Sequence, residues 1–268
     1  MTAPYWSGDG VELYLGDCRE VLPALDVQAD LIVADPPYAE TSLAWDRWPD
    51  GWPTIAATAS SSMWCFGSTR MFLDRRDEFT AWKLSQDVIG VDEDGAPVYG
   101  DVTVVWEKNT GTGRATDRFR RVHEYALHWY RGAWRDTHHD TPRVPATAAQ
   151  IARNGTAART NNTVAHQGDT GRRPGWTETG TRLMRSVIRT PTMRGRAIHP
   201  SEKPVELLKP MIEYACPPGG LVLDPFAGSG STLEAARLTG RKAIGIEGFE
   251  PYAERAAKRL AQAPLEIA

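Results

Sequence analysis

Four consecutive residues, Asp35, Pro36, Pro37 and Tyr38, carry the most specific chemistry in this 268-residue chain. They follow the apolar run Leu31, Ile32, Val33 and Ala34, which reads as a buried strand, so Asp35 stands at a strand's carboxyl end, where open α/β sheets bind ligands. The two prolines fix the backbone that follows and remove its N–H donors. The loop therefore offers acceptors only. The Asp35 carboxylate and a prolyl carbonyl can each take one N–H of an amino group conjugated to a ring, which turns the nitrogen lone pair outward and makes it a nucleophile. Tyr38 adds a flat face on which an extruded base can stack. A plain Asp-Pro turn is the competing reading, and it accounts for two of the four residues.

A second constellation lies far along the chain. An apolar run, Leu221, Val222 and Leu223, ends in Asp224, and the turn Pro225, Phe226, Ala227, Gly228, Ser229, Gly230 follows. Glu247 ends the next apolar run about 20 residues further on, where an acid meets ribose hydroxyls. Glycines let backbone approach a ligand, and a helix N-terminus favours an anionic group. The loop reads Gly-x-Gly-x-x-Leu, so the third glycine of a dinucleotide fingerprint is missing, and no Gly-Lys-Ser/Thr of a phosphate loop follows. An adenosine ligand without a pyrophosphate fits better. S-adenosylmethionine is one: its carboxylate can take the loop amides while an acid meets its amino group.

Seven strands are predicted to position these residues: 11–15, 31–34, 62–66, 102–106, 125–130, 221–224 and 242–246. Helices are predicted between them, giving the β-α-β rhythm of a parallel sheet. Pro204 suits the first position of one helix, with Leu207, Leu208, Met211 and Ile212 on its apolar face. Ser231 and Glu234 have the spacing of a capping box for another. Residues 134–196 lose periodicity and read as loop-rich. The expected organisation is a catalytic half over 1–133, an Arg-rich insertion over 134–198 and a cofactor half over 199–268.

Charge supports that division. Residues 134–198 hold eleven arginines, four acids and no lysine, on a chain whose net charge is -3. Arginine suits bidentate contacts to guanine and phosphate, so target reading is expected there, first at Arg172, Arg173, Arg182 and Arg185, which flank Trp176. A solvated Arg-rich loop is the alternative. Trp45, Trp48 and Trp52, after the Asp35 loop, are expected to pack rather than contact bases. The three cysteines, Cys18, Cys65 and Cys216, form no Cys-x-x-Cys pair, so neither a disulfide framework nor a metal site is expected. No apolar run approaches the ~20 residues that span a bilayer, and the first residues lack a signal-peptide pattern, so a cytoplasmic location without membrane contact is expected.

Asp35 to Tyr38 resembles the DPPY motif of amino-directed DNA methyltransferases, and Asp224 to Gly230 resembles their FxGxG motif. His199, Pro200, Ser201, Glu202, Lys203 and Pro204 look like the HPxxKP element of that family, Leu15, Gly16 and Asp17 like its opening strand and turn, and Trp106 to Lys108 with His123 to Tyr125 like its sixth and seventh strands. The order, catalytic motif first, resembles the β group. The resemblance implies a permuted, Rossmann-like S-adenosylmethionine-dependent methyltransferase fold: α/β, a seven-stranded mostly parallel sheet with one antiparallel strand, helices on both faces. It implies catalysis at Asp35, Pro36, Pro37 and Tyr38, and S-adenosylmethionine contacts at Asp224, Phe226, Gly228, Gly230 and Glu247, with Asp17, His199, Ser201 and Lys203 in addition. Double-stranded DNA is the implied partner; a cognate restriction endonuclease and a homodimer stay open. Asp before the prolines leans towards N6 of adenine. The alternatives are N4 of cytosine, an RNA or protein-amide substrate, and an inert DNA-binding relative.

Overall fold

Continuous apolar runs become the middle of a sheet. In the computed structural model, which describes residues 3–262 apart from 44, 86–87, 92–96, 100–101, 113–115, 118, 155–178, 194 and 196, the strands are β1 (Trp6–Gly8), β2 (Val11–Leu15), β3 (Leu31–Ala34), β4 (Ser62–Gly67), β5 (Lys83–Leu84), β6 (Val88–Val91), β7 (Pro97–Tyr99), β8 (Thr103–Thr112), β9 (Arg121–Tyr130), β10 (Arg143–Pro145), β11 (Thr181–Leu183), β12 (Val187–Arg189), β13 (Leu221–Asp224) and β14 (Lys242–Glu247). The main sheet runs β1-β2-β14-β13-β3-β4-β9-β8-β12, with β5 on β9. From β2 to β4 every neighbour is parallel, and β9 is antiparallel to both β4 and β8. Every residue of β3 and β4 is buried, as expected of strands covered on both faces.

The helices are α1 (Cys18–Leu25), α2 (Trp52–Ala59), α3 (Thr69–Asp74), α4 (Ala148–Asn154), α5 (Val205–Ala215), α6 (Ser231–Leu238) and α7 (Glu250–Leu260). The crossovers β2-α1-β3 and β3-α2-β4 step one way along the sheet while β13-α6-β14 steps the other. Parallel crossovers are right-handed, so α1 and α2 cover one face and α6 the opposite one; α1 packs on α2, and α6 on α5. Trp52, Trp48, Phe79 and Trp82 fill the space under α1 and α2, so Trp48 and Trp52 are core residues.

Two boundaries differ from the sequence reading. The sheet has ten strands because β1, β5 and β12 are added, each two or three residues long and too short to show periodicity. The strands β8 and β9 also run on into the stretch expected to link them. Neither expected cap forms as drawn. Pro204 is the N-cap and not the first helical residue of α5. Gly230, with φ 76°, caps α6, while Ser231 Oγ lies 2.9 Å from Ser229 Oγ and Glu234 accepts from Arg237 at 2.5 Å. A left-handed glycine already turns the chain there, so no side-chain cap is required.

The chain divides into two compact units, Met1–Asp140 with Ser186–Ala268, and Thr141–Arg185. Within the second, β10 and β11 pair antiparallel, Val144 opposite Arg182, and α4 lies between them in sequence, so part of the expected loop is regular. No helix among the described residues is long and apolar enough to cross a membrane.

One buried polar group in the first unit has a pH signature. His128 of β9 is fully buried, its Nε2 is 3.0 Å from Ser62 Oγ, its Nδ1 has no partner among the described residues, and the Trp64 ring lies 4.9 Å away. Burial lowers its pKa from 6.5 to about 3. The unfolded chain therefore takes a proton that the folded chain refuses, and the stability present above pH 6.5 is lost as pH falls towards 3. In His128→Phe the decline of the urea midpoint over that interval is expected to be shallower than in the wild type. An identical decline would exclude His128 as its source.

Candidate active site

Two residues 189 positions apart in sequence come to one cavity because of a single strand pairing. Strands β3 and β13 are parallel neighbours, Leu223 opposite Ile32, so Asp35 and Asp224 leave adjacent carboxyl ends. Strand β14 flanks β13 and ends in Glu247. The carboxyl ends open into a cavity of about 650 Å³ that all three acids line. This is the switch point of an open α/β sheet: the connections leave β3 and β13 in opposite directions.

On the β13 side, Asp224 is 3% exposed and accepts from Phe226 N at 2.9 Å. Burial raises its carboxyl to about 7, against the opposing Thr232 and Phe226 hydrogen bonds. Gly228 and Gly230 have φ of 49° and 76°, left-handed values that side chains other than glycine rarely adopt. Glu247 accepts from Gly228 N at 2.7 Å and from Phe249 N at 2.8 Å; burial raises its pKa although these backbone bonds oppose it. The Phe226 ring packs edge-on to Trp52 at 5.1 Å. The site thus combines a left-handed glycine turn, a bound carboxylate and an aromatic wall.

On the β3 side, Tyr38 donates its hydroxyl to Asp35 Oδ1 at 2.8 Å, and the Lys203 ammonium is bonded to Asp35 Oδ2. Burial raises the Asp35 pKa, with Lys203 pulling it down and Glu124 pushing it up. Lys203 keeps its charge: desolvation disfavours it, but Asp35 and Glu124 outweigh that and hold its pKa high. Pro36 and Pro37 line the same cavity.

The remaining expected residues divide. His199 and Ser201 are at the cavity, with Ser201 N donating to His199 Nδ1 at 3.2 Å and Tyr252 4.2 Å from the His199 ring. Burial, then Lys203 and Arg255, lower His199 to about 4, so it is neutral near pH 7. Asp17 caps α1 and is paired with Arg19 at 2.6 Å, which lowers its pKa first through that hydrogen bond. Lys203 lies in the cavity with its ammonium directed at Asp35 and Glu124. Trp45 lines the cavity, its ring 5.2 Å from His199. Among the recognition candidates, Arg182 is part-buried and Arg185 exposed, both in the second unit; Arg172, Arg173 and Trp176 lie outside the described residues. Among the described residues no cluster of metal-ligating side chains occurs, and the three cysteines are buried and free.

Two functional supports were not singled out from the sequence. Glu124 joins Lys203 at 3.5 Å. Asp46, 3% exposed, accepts from Ala39 N, Glu40 N and Thr41 N at 2.8, 3.0 and 2.6 Å, and so fixes the loop after Tyr38. An Asp between Trp45 and Arg47, in a stretch without periodicity, carries no sequence signal for that role.

Comparison with known proteins follows the same lines. The DNA methylase family model for N6 and N4 methyltransferases matches residues 29–259. Over 271 residues the chain is 28% identical to the type II methyltransferase M.ScaI of Streptomyces caespitosus, covering 96% of this chain and 83% of that one. Shorter matches occur in Escherichia coli K12: 54% identity to the methylase YubD over 67 residues, 25% of this chain and 30% of YubD, and 48% identity to the DNA adenine methyltransferase YhdJ over 62 residues, 23% of this chain and 21% of YhdJ. These two alignments span under a third of either relative. Among solved structures, the M1.HpyAVI–SAM complex superposes with a TM-score of 0.61 at 22% identity, covering 94% of this chain and all of that one. The cytosine-N4-specific PvuII DNA methyltransferase does so at 0.60 and 14% identity, covering 100% of this chain and 91% of that one. At such identities the likeness is one of fold.

Proposed function

The chain belongs to the N6/N4 DNA methylase family, and from that premise we propose that it transfers a methyl group from S-adenosylmethionine to N6 of adenine in double-stranded DNA, with Asp35, Pro36, Pro37 and Tyr38 as its DPPY motif and Asp224 to Gly230 as its FxGxG motif, in β-group order. The observation that carries the proposal is the meeting of the Asp35 carboxylate and the two prolines after it with the Asp224 and Glu247 carboxylates in one cavity. Asp at the head of the motif and the 48% identity to an adenine methyltransferase favour adenine; the amino chemistry of cytosine N4 is the same and is the second reading.

The donor set suits the cofactor. Glu247 would hold the ribose hydroxyls, Asp224 the amino group and Phe226 the adenine face, with Asp17, His199 and Ser201 completing the wall. The amides of Gly228 and Gly230 are already donated to Glu247 and to the Ala227 carbonyl, so the expected grip of these loop amides on the carboxylate does not form, and the two glycines serve by letting the backbone come close. When bound, S-adenosylmethionine supplies an electrophilic sulfonium methyl. Asp35 Oδ1 and a prolyl carbonyl each hold one amino N–H, and Tyr38 stacks on the base. Asp35 Oδ1 would accept one of those protons as the amino nitrogen takes up the methyl group. Expression in a methylation-free host followed by modification-sensitive sequencing tests the proposal: N6-methyladenine at a defined sequence is expected, N4-methylcytosine would select the second reading, and an unmodified genome would reject both.

Target reading is proposed for residues 134–198. A lost phosphate contact weakens binding to every sequence and lowers the salt slope by about 1. A lost base contact costs about 1–3 kcal/mol at the proper site and relaxes one position. Arg172→Ala, Arg173→Ala, Arg182→Ala and Arg185→Ala are expected to sort into these two groups. Four variants with wild-type affinity, salt slope and methylated sites would move recognition elsewhere in the chain.

A further inference from the structure

We propose that Lys203, backed by Glu124, is a positioning residue for methyl transfer: it ties down one oxygen of Asp35 so that the other stays turned to the incoming amino group. The inference rests on the reading of the Asp35 loop as the transfer site. Lys203 stands in the part of the chain that resembles a cofactor-lining element, yet its contacts are elsewhere. The side chain is 7% exposed, and its ammonium is bonded to Asp35 Oδ2, stands 3.5 Å from Glu124 Oε2, and donates to the Ser201 carbonyl at 3.3 Å. The Phe66 ring lies beneath it at 5.0 Å. An ammonium has three N–H donors; Asp35 and the Ser201 carbonyl take two as hydrogen bonds, and Glu124 Oε2 adds an ion-pair contact without a hydrogen bond.

The partners come from separate elements. Asp35 follows β3, Glu124 is on β9, and Glu124 is in turn bonded to Lys108 of β8. A lysine stem is flexible when alone; here Glu124 of β9 holds the ammonium, so the carboxylate is oriented from the sheet as well as by the Tyr38 hydroxyl of its own loop. The charges alternate along Lys108, Glu124, Lys203 and Asp35 and cancel, which lets the series be buried without a net charge. Oδ1 accepts from the Tyr38 hydroxyl and, as one half of a carboxylate, has a second lone pair for an amino N–H.

Removal of the lysine has a defined consequence. The groups facing Asp35 are Lys203, Glu124 and Tyr38, with Asp224 and Cys65 also within its field; Lys203 is the one cation among these. Without it, a buried carboxylate faces two acids and becomes protonated at higher pH. A protonated carboxyl then donates where it has to accept. Loss of an opposite charge at this range raises a carboxyl pKa by about 1–3, and since transfer requires ionised Asp35, the acid limb of the kcat profile moves upward by that amount.

The experiment uses the full chain, tritiated S-adenosylmethionine and genomic DNA from a methylation-free host, with kcat measured from acid to alkaline pH. Lys203→Met is expected to keep the wild-type calorimetric affinity for S-adenosylmethionine, to lose about tenfold or more of kcat on the acid limb, since each pH step of about one in the carboxyl's titration changes its ionised fraction tenfold there, and to recover at high pH. Lys203→Arg, which keeps the charge, is expected to leave the acid limb in place with a reduced plateau. Glu124→Gln removes a like charge from Asp35, and is expected to lower kcat without moving the limb upward. A merely structural lysine would lower kcat at every pH and leave the limb alone, and that result overturns the inference. A loss of cofactor affinity in Lys203→Met that matches the loss of activity overturns it also, in favour of a cofactor role. Should Lys203→Met melt below the assay temperature, the Lys203→Arg and Glu124→Gln profiles decide: limbs moved upward in both contradict the proposal. Asp35→Ala in the same assay separates the two levels. If it is active, the reading of the site falls and the inference with it; if it is inactive while Lys203→Met shows an unmoved limb, the inference alone falls.

Discussion

In Asp35→Ala, transfer of methyl groups to DNA is expected to fall by roughly 10²–10⁴-fold, the usual range for a group that handles a proton or developing charge at the reacting atom, while calorimetric affinity for S-adenosylmethionine stays at the wild-type value. The split follows from where the carboxylates lie. Asp35 leaves β3 and contacts Tyr38 and Lys203, whereas Asp224 and Glu247 leave β13 and β14 and contact the glycine turn. On the proposed reading the acid at β3 has no cofactor duties. Thermal melting accompanies the assay, because truncation leaves the buried Lys203 with Glu124 as its remaining carboxylate partner and half-paired buried ions destabilise a fold. Wild-type turnover in a folded Asp35→Ala protein would end the mechanism.

Glu247→Ala is expected to give the opposite signature: affinity for S-adenosylmethionine lowered by about a hundredfold, with turnover at saturating cofactor much less affected. Two effects combine. The carboxylate would lose its bonds to the ribose, and it also holds Gly228 N and Phe249 N at 2.7 and 2.8 Å, so the turn proposed to receive the cofactor loses its anchor. Hydrogen bonds to a charged group contribute about 1.5–3 kcal/mol each, and a hundredfold change corresponds to about 2.7 kcal/mol, within the range of one or two such bonds. Glu247→Gln retains one acceptor oxygen and is expected to fall between. Equal affinities for wild type and Glu247→Ala by calorimetry would remove Glu247 from the cofactor site.

The parts of this molecule that were legible in the sequence are those where one short run of residue types has one physical explanation. Four buried apolar residues before Asp35 require a covered parallel strand, and a glycine pair between two such strands requires a left-handed turn, which Gly228 and Gly230 form. What escaped notice depends on meetings between distant segments. Glu124 lies on a strand of alternating burial, where a charged residue ordinarily faces solvent; it is only the antiparallel placing of β9 beside β4 that brings it towards Lys203. The capping box failed for a related reason: Ser231 and Glu234 have the right spacing, but Arg259 donates to Ser231 Oγ at 3.0 Å and Arg237 engages Glu234, and Gly230 turns the chain without them.

The insertion of β14 and β13 between β2 and β3 also governs how the chain can be made. During synthesis β2 can pair with β1 and β3 with β4 early, but the edges of β2 and β3 that face the gap find no partner until residues 221–247 have been added; at ~5–20 residues per second that is on the order of 10–40 s later. For this interval β3 has an unpaired apolar edge, the kind of edge that templates pairing with other chains. Contacts between residues so far apart in sequence also close slowly. The Asp35 end and the Glu247 end of the cavity are thus completed in the same late step, when the last two strands enter the gap left for them.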